Sequence, residues 1–258
     1  AALEAAHPED AKTAFAFLPM LDLKQQDSRR ATVQDGALQA TWDGGINWTE
    51  VPISLEKLTS RGDEMDGQLS GLQEKSYVVS DEVTAFAYGG SGTVPVSVTF
   101  SHDKGKSWET IIVSNMDVSV RRLFLSFPDA EHGFLIFTGD RTMHQEGSTL
   151  YVTEDGGENW RPLIAETFYG YGGSHSLLTG AAFVSAEVGF VTGGDGCYWT
   201  TDGGIHWDQL TIRPPAVEYA ESYTVYYPPE IQNGKLVLYL GLEEYSELGG
   251  TKLRYESE

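Results

Sequence analysis

The chain has 258 residues, 40% of them hydrophobic and 29 of them glycine, a composition that suits a folded, turn-rich domain and excludes a disordered low-complexity polymer. Its 38 acidic against 17 basic residues give a formal charge of -21, which repels nucleic acid and anionic lipid at long range and excludes both as expected partners. No run approaches the roughly 18 consecutive apolar residues of a membrane-spanning helix, so none is expected.

In chain order, residues 1–12 are polar and helix-prone and read as the stub left by a removed leader or anchor, which places the protein outside the cell or in its envelope. The run Thr13 to Leu18 has strand character. Beyond it, one phrase, Ser/Thr-x-Asp-x-Gly-x-x-Trp, occurs at Thr41 to Trp48, Ser101 to Trp108, Thr153 to Trp160 and Thr200 to Trp207. Its aspartates, Asp43, Asp103, Asp155 and Asp202, are 60, 52 and 47 residues apart, room for one four-stranded sheet per repeat. Each phrase follows an alternating run, such as Thr149 to Thr153, and precedes a second short run beginning at the tryptophan, so it reads as a hairpin turn. The carboxylate is expected to accept turn N–H groups, and the glycine four residues after the Ser/Thr to take a backbone angle closed to other residues. Trp48, Trp108, Trp160 and Trp207 are expected to wedge between neighbouring sheets with their indole N–H groups bonded locally. Amide-saturated carboxylates are poor general acids, and the phrase lacks the ligand rhythm of a calcium loop, so the four aspartates read as structural. The sequon Asn47-Trp48-Thr49 falls inside the first phrase and reads as a by-product of it.

A second periodic signal lies upstream of the phrases: Phe127 to Gly133, Phe183 to Gly189 and Tyr227 to Gly234 read as turns joining strands one and two. The pattern predicts an all-β chain, a β-propeller of four-stranded antiparallel blades, with units near 31–65, 72–118, 119–168, 174–216 and 218–258. Five blades are expected and six is the alternative. Arg254 to Glu258 resembles the approach to a fifth phrase with Ser257 in its Ser/Thr slot, suggesting a lost final hairpin; alternatively Thr13 to Leu18 supplies the missing strand and closes the ring. Lone Cys197 forms no internal disulfide and reads as a packed thiol.

The repeated phrase resembles the Asp box of the bacterial neuraminidase repeat propellers over nearly the whole chain, and three of its four copies have the specific form Thr-x-Asp-Gly-Gly-x-x-Trp. That superfamily includes sialidases, xyloglucan-degrading enzymes, sortilin-type receptor ectodomains and photosystem II assembly factors. The resemblance implies the fold. Sialidases share in addition an Arg-Ile-Pro phrase, absent here, and three arginines that clamp a carboxylate; nothing in the spacing of Arg121, Arg122, Arg141 and Arg213 makes them converge.

If the boxes mark one face, ligands are expected on the other, at the loops between strands two and three and between blades. Those segments include Gly89 to Gly92, Asp140 to Glu146, Phe168 to His175, Gly194 to Gly196, Glu218 to Tyr223 and Glu243 to Tyr245. Arg141, His144, Tyr169, Tyr171, His175 and Tyr223 are the candidate ligand-binding residues, since tyrosine offers a flat face and a hydroxyl to a sugar or a protein. Asp140, Glu146, Asp195 and Glu221 are the carboxylates from which a glycosidase pair could be drawn. The six histidines lack metal-ligand spacing and the glycine-rich segments precede strands rather than helices, so no metal and no cofactor is expected. The expected activity is non-catalytic binding of a protein or glycan; a glycoside hydrolase and an assembly factor are the alternatives.

Overall fold

The structure is a computed structural model that describes residues 30–58, 60–61, 68–69, 71–73, 75–91, 93–115, 120–142, 145–163, 178–193, 196–210, 224–227, 229–232, 235–242 and 252–256. Strands β1 (Arg30–Gln34), β2 (Ala37–Thr41) and β3 (Thr49–Glu50) form a three-stranded sheet. A single 3-10 turn, Leu55–Leu58, and the short pair β4 (Ser60–Arg61) and β5 (Gln68–Leu69) follow. Three complete four-stranded meanders come next: β6 (Tyr77–Val79) to β9 (Glu109–Ser114) through β7 (Thr84–Tyr88) and β8 (Val96–Ser101); β10 (Arg122–Ser126), β11 (Gly133–Thr142), β12 (Gln145–Thr153) and β13 (Arg161–Leu163); and β14 (Leu178–Phe183), β15 (Gly189–Gly193), β16 (Gly196–Thr200) and β17 (Asp208–Leu210). The last sheet holds β18 (Thr224–Tyr226), β19 (Glu230–Gln232), β20 (Lys235–Leu242) and β21 (Lys252–Glu256). These sheets are the blades of a β-propeller, five of them among the described residues.

Two strand assignments differ from the sequence reading. Tyr227 to Gly234 is not one long turn, because β18 and β19 both pair with β20 and form a first strand interrupted near Pro229. Proline has no N–H to give a ladder, so the strand breaks there and resumes at Glu230. Among the described residues the first sheet has three strands, and Thr13 to Leu18 lies outside them.

The blades stack through both faces of their strands. Leu135 and Phe137 of β11 pack with the second blade's Val98 and Phe100, whereas Phe134 and Ile136 of the same strand pack with Ala181 and Val191 of the fourth. Alternate side chains of a strand point to opposite faces, so a run of four apolar residues joins three sheets. Phe134 and Phe183 stack with centroids 3.6 Å apart, and the Ser126 hydroxyl accepts the Phe183 N–H at 3.1 Å across the same junction. Cys197 is wholly buried, which pushes its thiol up, in keeping with a packing role.

Candidate functional site

The box hairpins behave as one device repeated four times. In each, the Ser/Thr hydroxyl donates to the aspartate, at 2.9 Å from Thr41 to Asp43, 2.8 Å from Ser101 to Asp103, 2.7 Å from Thr153 to Asp155 and 2.9 Å from Thr200 to Asp202. The same hydroxyl accepts the N–H of the glycine four residues on, Gly45, Gly105, Gly157 or Gly204. All four glycines have positive φ, between 77° and 104°. The aspartate then accepts the backbone N–H and the side chain of the residue before the tryptophan: Asn47, Ser107, Asn159 or His206.

These bonds stabilise the ionised carboxylates. The Asn47 N–H, then its side-chain amide, holds Asp43 at about 2, and the Ser107 hydroxyl and N–H hold Asp103 at about 2. Asp155 is lowered by the Asn159 amide and N–H. Asp202 is raised by partial burial but lowered further by the His206 N–H and ring and the Thr200 hydroxyl, with a net downward shift. None of these acids is poised to deliver a proton near neutral pH. The sequon is likewise engaged: Asn47 Nδ2 donates to Asp43 at 2.7 Å.

The second, third and fourth boxes also touch the preceding blade. A Cβ on Gly105 would meet Thr49 and Trp42, on Gly157 Phe100, and on Gly204 Leu150 and Leu163. Trp108 packs on the cluster shared by the first two blades and Trp207 on that of the third and fourth, as wedges. The first–second strand turns dock beside them, with the Gly156 N–H donating to the Glu131 carbonyl and the Gly203 N–H to the Glu187 carbonyl, both at 2.8 Å. One face of the molecule is thus occupied by boxes and turns.

Because the sheets are antiparallel meanders, the connections between second and third strands emerge on the other face. The sequence reading took residues 140–146 as a loop there; residues 140–142 and 145–146 are instead strand, the ends of β11 and β12. β11 and β12 pair as far as Thr142 and Gln145. Among the described residues, β10 accompanies β11 only to Thr138 and β13 accompanies β12 only to Leu150. Among the described residues, 139–142 and 145–147 therefore pair with each other beyond the partners of β10 and β13. Arg141 stands opposite Glu146 in this register, and Asp140 occupies an irregularity between Gly139 and Arg141. Asp140, Arg141 and Glu146 are thereby placed at neighbouring positions of one strand pair. His144, Tyr169, Tyr171, His175, Asp195, Glu221 and Tyr223 lie outside the described residues.

Sequence reasoning missed Gln73, which no motif marks. Its side-chain amide donates to the Arg121 carbonyl and accepts the Leu123 N–H at 3.3 and 3.1 Å, tying the segment before β6 to the inner strand β10. The cavity beside it, between Leu58, Gln73, Ser76, Tyr88 and Leu123, measures about 10 Å³, room for about one water molecule. Among the described residues no group of three or more His, Cys, Asp or Glu side chains could hold a metal ion.

No family model matches the chain, and no curated protein matches it. Among solved structures, the GH74 xyloglucanase from Xanthomonas campestris is similar at 15% identity, covering 88% of this chain and 36% of that one, with a TM-score of 0.47. Trypanosoma rangeli sialidase in complex with difluorosialic acid gives 14% identity over 80% of this chain and 40% of that one, with a TM-score of 0.46. YCF48 bound to a D1 peptide gives 15% identity, 72% and 56% coverage and a TM-score of 0.39. The chain spans between 36% and 56% of these three proteins' lengths, and at such scores none of them bears on its chemistry. The fold rests on the sheets and boxes themselves.

Proposed function

We propose that this propeller is a non-catalytic recognition module of the bacterial cell exterior that binds a protein or glycan on the face opposite its boxes. The observation that carries the reading is that β11 and β12 stay paired from Gly139 and Gly147 to Thr142 and Gln145, beyond the described partners of β10 and β13, which sets Asp140, Arg141 and Glu146 at neighbouring positions of one strand pair. A strand pair built on a packed blade suits contact with a partner's surface. The carboxylates of the boxes are engaged in their own turns, which removes the most regular set of acids from consideration as catalysts.

A glycoside hydrolase requires two carboxyl groups facing each other at roughly 5–10 Å across an opening. Asp140 and Glu146 belong to adjacent strands of one pair, which does not favour that arrangement. An assembly factor with a broad arginine patch is disfavoured by the 17 basic residues among 38 acidic ones.

The test replaces residues 140–146 by Asn-Gly and screens parent and variant against a glycan array, a displayed peptide library and chromogenic glycosides. A glycan or peptide ligand lost in the shortened variant, with an unchanged melting temperature, is the expected result. Glycoside turnover abolished by Glu146→Gln, Asp195→Asn or Glu221→Gln would replace this reading with the hydrolase.

A further inference from the structure

We propose that β9 is a docking strand on the rim of the propeller, to which an extended basic segment of another protein adds as a further strand of the second blade. β9 (Glu109–Ser114) stands last in its sheet, and β8 is its one ladder partner among the described residues. An edge strand turns every second backbone N–H and C=O outward, which makes it a template for another chain. From Glu109 to Ile112 the ladder runs regularly opposite Phe100 to Ser97, and the irregularity comes beyond it, where Val96 pairs with Ser114. That regular stretch is also the uncovered one. Glu109, Thr110 and Ile112 are exposed, Ile112 to 55%, whereas Val113 and Ser114 are buried.

The other outer strands are closed to such pairing, each in its own way. β3 (Thr49–Glu50) has two residues and runs into Pro52; β13 (Arg161–Leu163) has three, with Pro162 at its centre; β17 (Asp208–Leu210) has three and opens on a charge. β21 (Lys252–Glu256) carries charge at every second position, as Lys252, Arg254 and Glu256. Shortness, proline and charge are the devices by which sheet edges escape unwanted pairing. β9 has six residues, no proline and two adjacent isoleucines, whose branched side chains favour extended backbone. It is also held in shape: Ile111 packs on the apolar cluster of the second and third blades, and the Thr110 and Thr99 hydroxyls bond at 2.8 Å.

Charge selects the occupant. Pairing β9 with the same strand of a second copy would bring together two chains of charge -21, and an acidic segment meets the same repulsion. A basic segment is attracted instead. Its backbone supplies the ladder bonds, and an aliphatic or β-branched residue beside Ile112 supplies the preference among sequences. As the fourth strand of its blade, β9 lies on the rim rather than on the face opposite the boxes, so this contact is separate from the recognition surface proposed above.

The full chain and Ile112→Arg are panned against a displayed library of short peptides with lysine or arginine at both ends and a randomised centre. Arginine at position 112 removes the apolar contact and repels a basic segment, and at so exposed a site it should leave the melting temperature within about 1–2 °C of the parent. The parent should enrich peptides with β-branched centres that bind the variant at least about tenfold more weakly. The bound peptide should also slow hydrogen exchange at amides between Glu109 and Val113. Peptides lost when residues 140–146 are shortened but retained by Ile112→Arg would belong to the other face and would overturn the proposal. So would the absence of any enriched peptide, exchange along β9 that the peptide leaves unchanged, or a dimer of the parent paired through β9.

Discussion

Trp108 differs from the other box tryptophans at a single atom. Trp48, Trp160 and Trp207 donate their indole N–H to the box glycine carbonyl at 3.1, 3.0 and 2.9 Å, whereas the buried Trp108 Nε1 has no acceptor. The second box also carries Lys104, at φ 59°, where the others place Gly44, Gly156 and Gly203. Replacing Trp160 by Phe removes ring area and a hydrogen bond; replacing Trp108 removes ring area and an unsatisfied donor. Trp160→Phe should therefore cost about 1 kcal/mol more than Trp108→Phe, seen as roughly 2–4 °C in melting temperature. Equal losses at the two sites would show that the indole hydrogen bond contributes nothing net. The carboxylate, hydroxyl and glycine roles were legible from the phrase because every bond spans four residues or fewer. The orphaned indole was not, because the tryptophan stands at the same place of the phrase in all four boxes.

At the level of elements, the first–second strand turns of the third and fourth blades share a contact that their spacing conceals. The Phe127 ring lies over Gly133 and the Phe183 ring over Gly189, so close that added Cβ atoms would sit 2.6 and 2.5 Å from ring carbons. Phe183 in turn stacks on Phe134 and meets Trp207 edge-on at 5.9 Å. Gly189→Ala should push that ring off its stack and cost about 1–3 kcal/mol, and Phe183→Ala about 3–5 kcal/mol. In the double variant the alanine methyl has no ring to strike, so its cost should be clearly less than the sum. Urea denaturation of the four proteins measures this cycle, and additive losses would mean that the glycine serves only the turn. The glycines read as turn residues in the sequence; that a ring covers them follows from strand pairing, which brings Gly189 opposite Phe183. Pairing likewise turned residues 140–142 and 145–146 from expected loop into strand.

For the molecule as a whole, two electrostatic effects act in opposite directions on acidification. The charge of -21 opposes compaction, so protonating ordinary carboxylates below neutrality relieves repulsion. Asp43 and Asp103, held at about 2, and Asp129, Asp155 and Asp202, also lowered, behave otherwise. Their depressed values in the folded state stabilise it fully above the ordinary aspartate value of about 4, and that contribution disappears as pH falls towards 2. Melting temperature should rise gently from pH 7 to about 5 and drop below about 4, with added salt flattening the first limb. A curve that keeps rising below pH 4 would show that the box hydrogen bonds do not favour the ionised aspartates.

The amino-acid sequence by itself determined the repeat, the box hairpins and the all-β meander, since these follow from turn chemistry and alternation within short spans. Only the tertiary structure decided which blade each side chain serves: Trp42 and His102 reach forward, the box glycines press backward, and Gln73 joins one blade to the next. It also decided that Arg141 stands opposite Glu146 in the β11–β12 pair. Such pairings join residues through strand register and sheet stacking, and neither is encoded in local spacing.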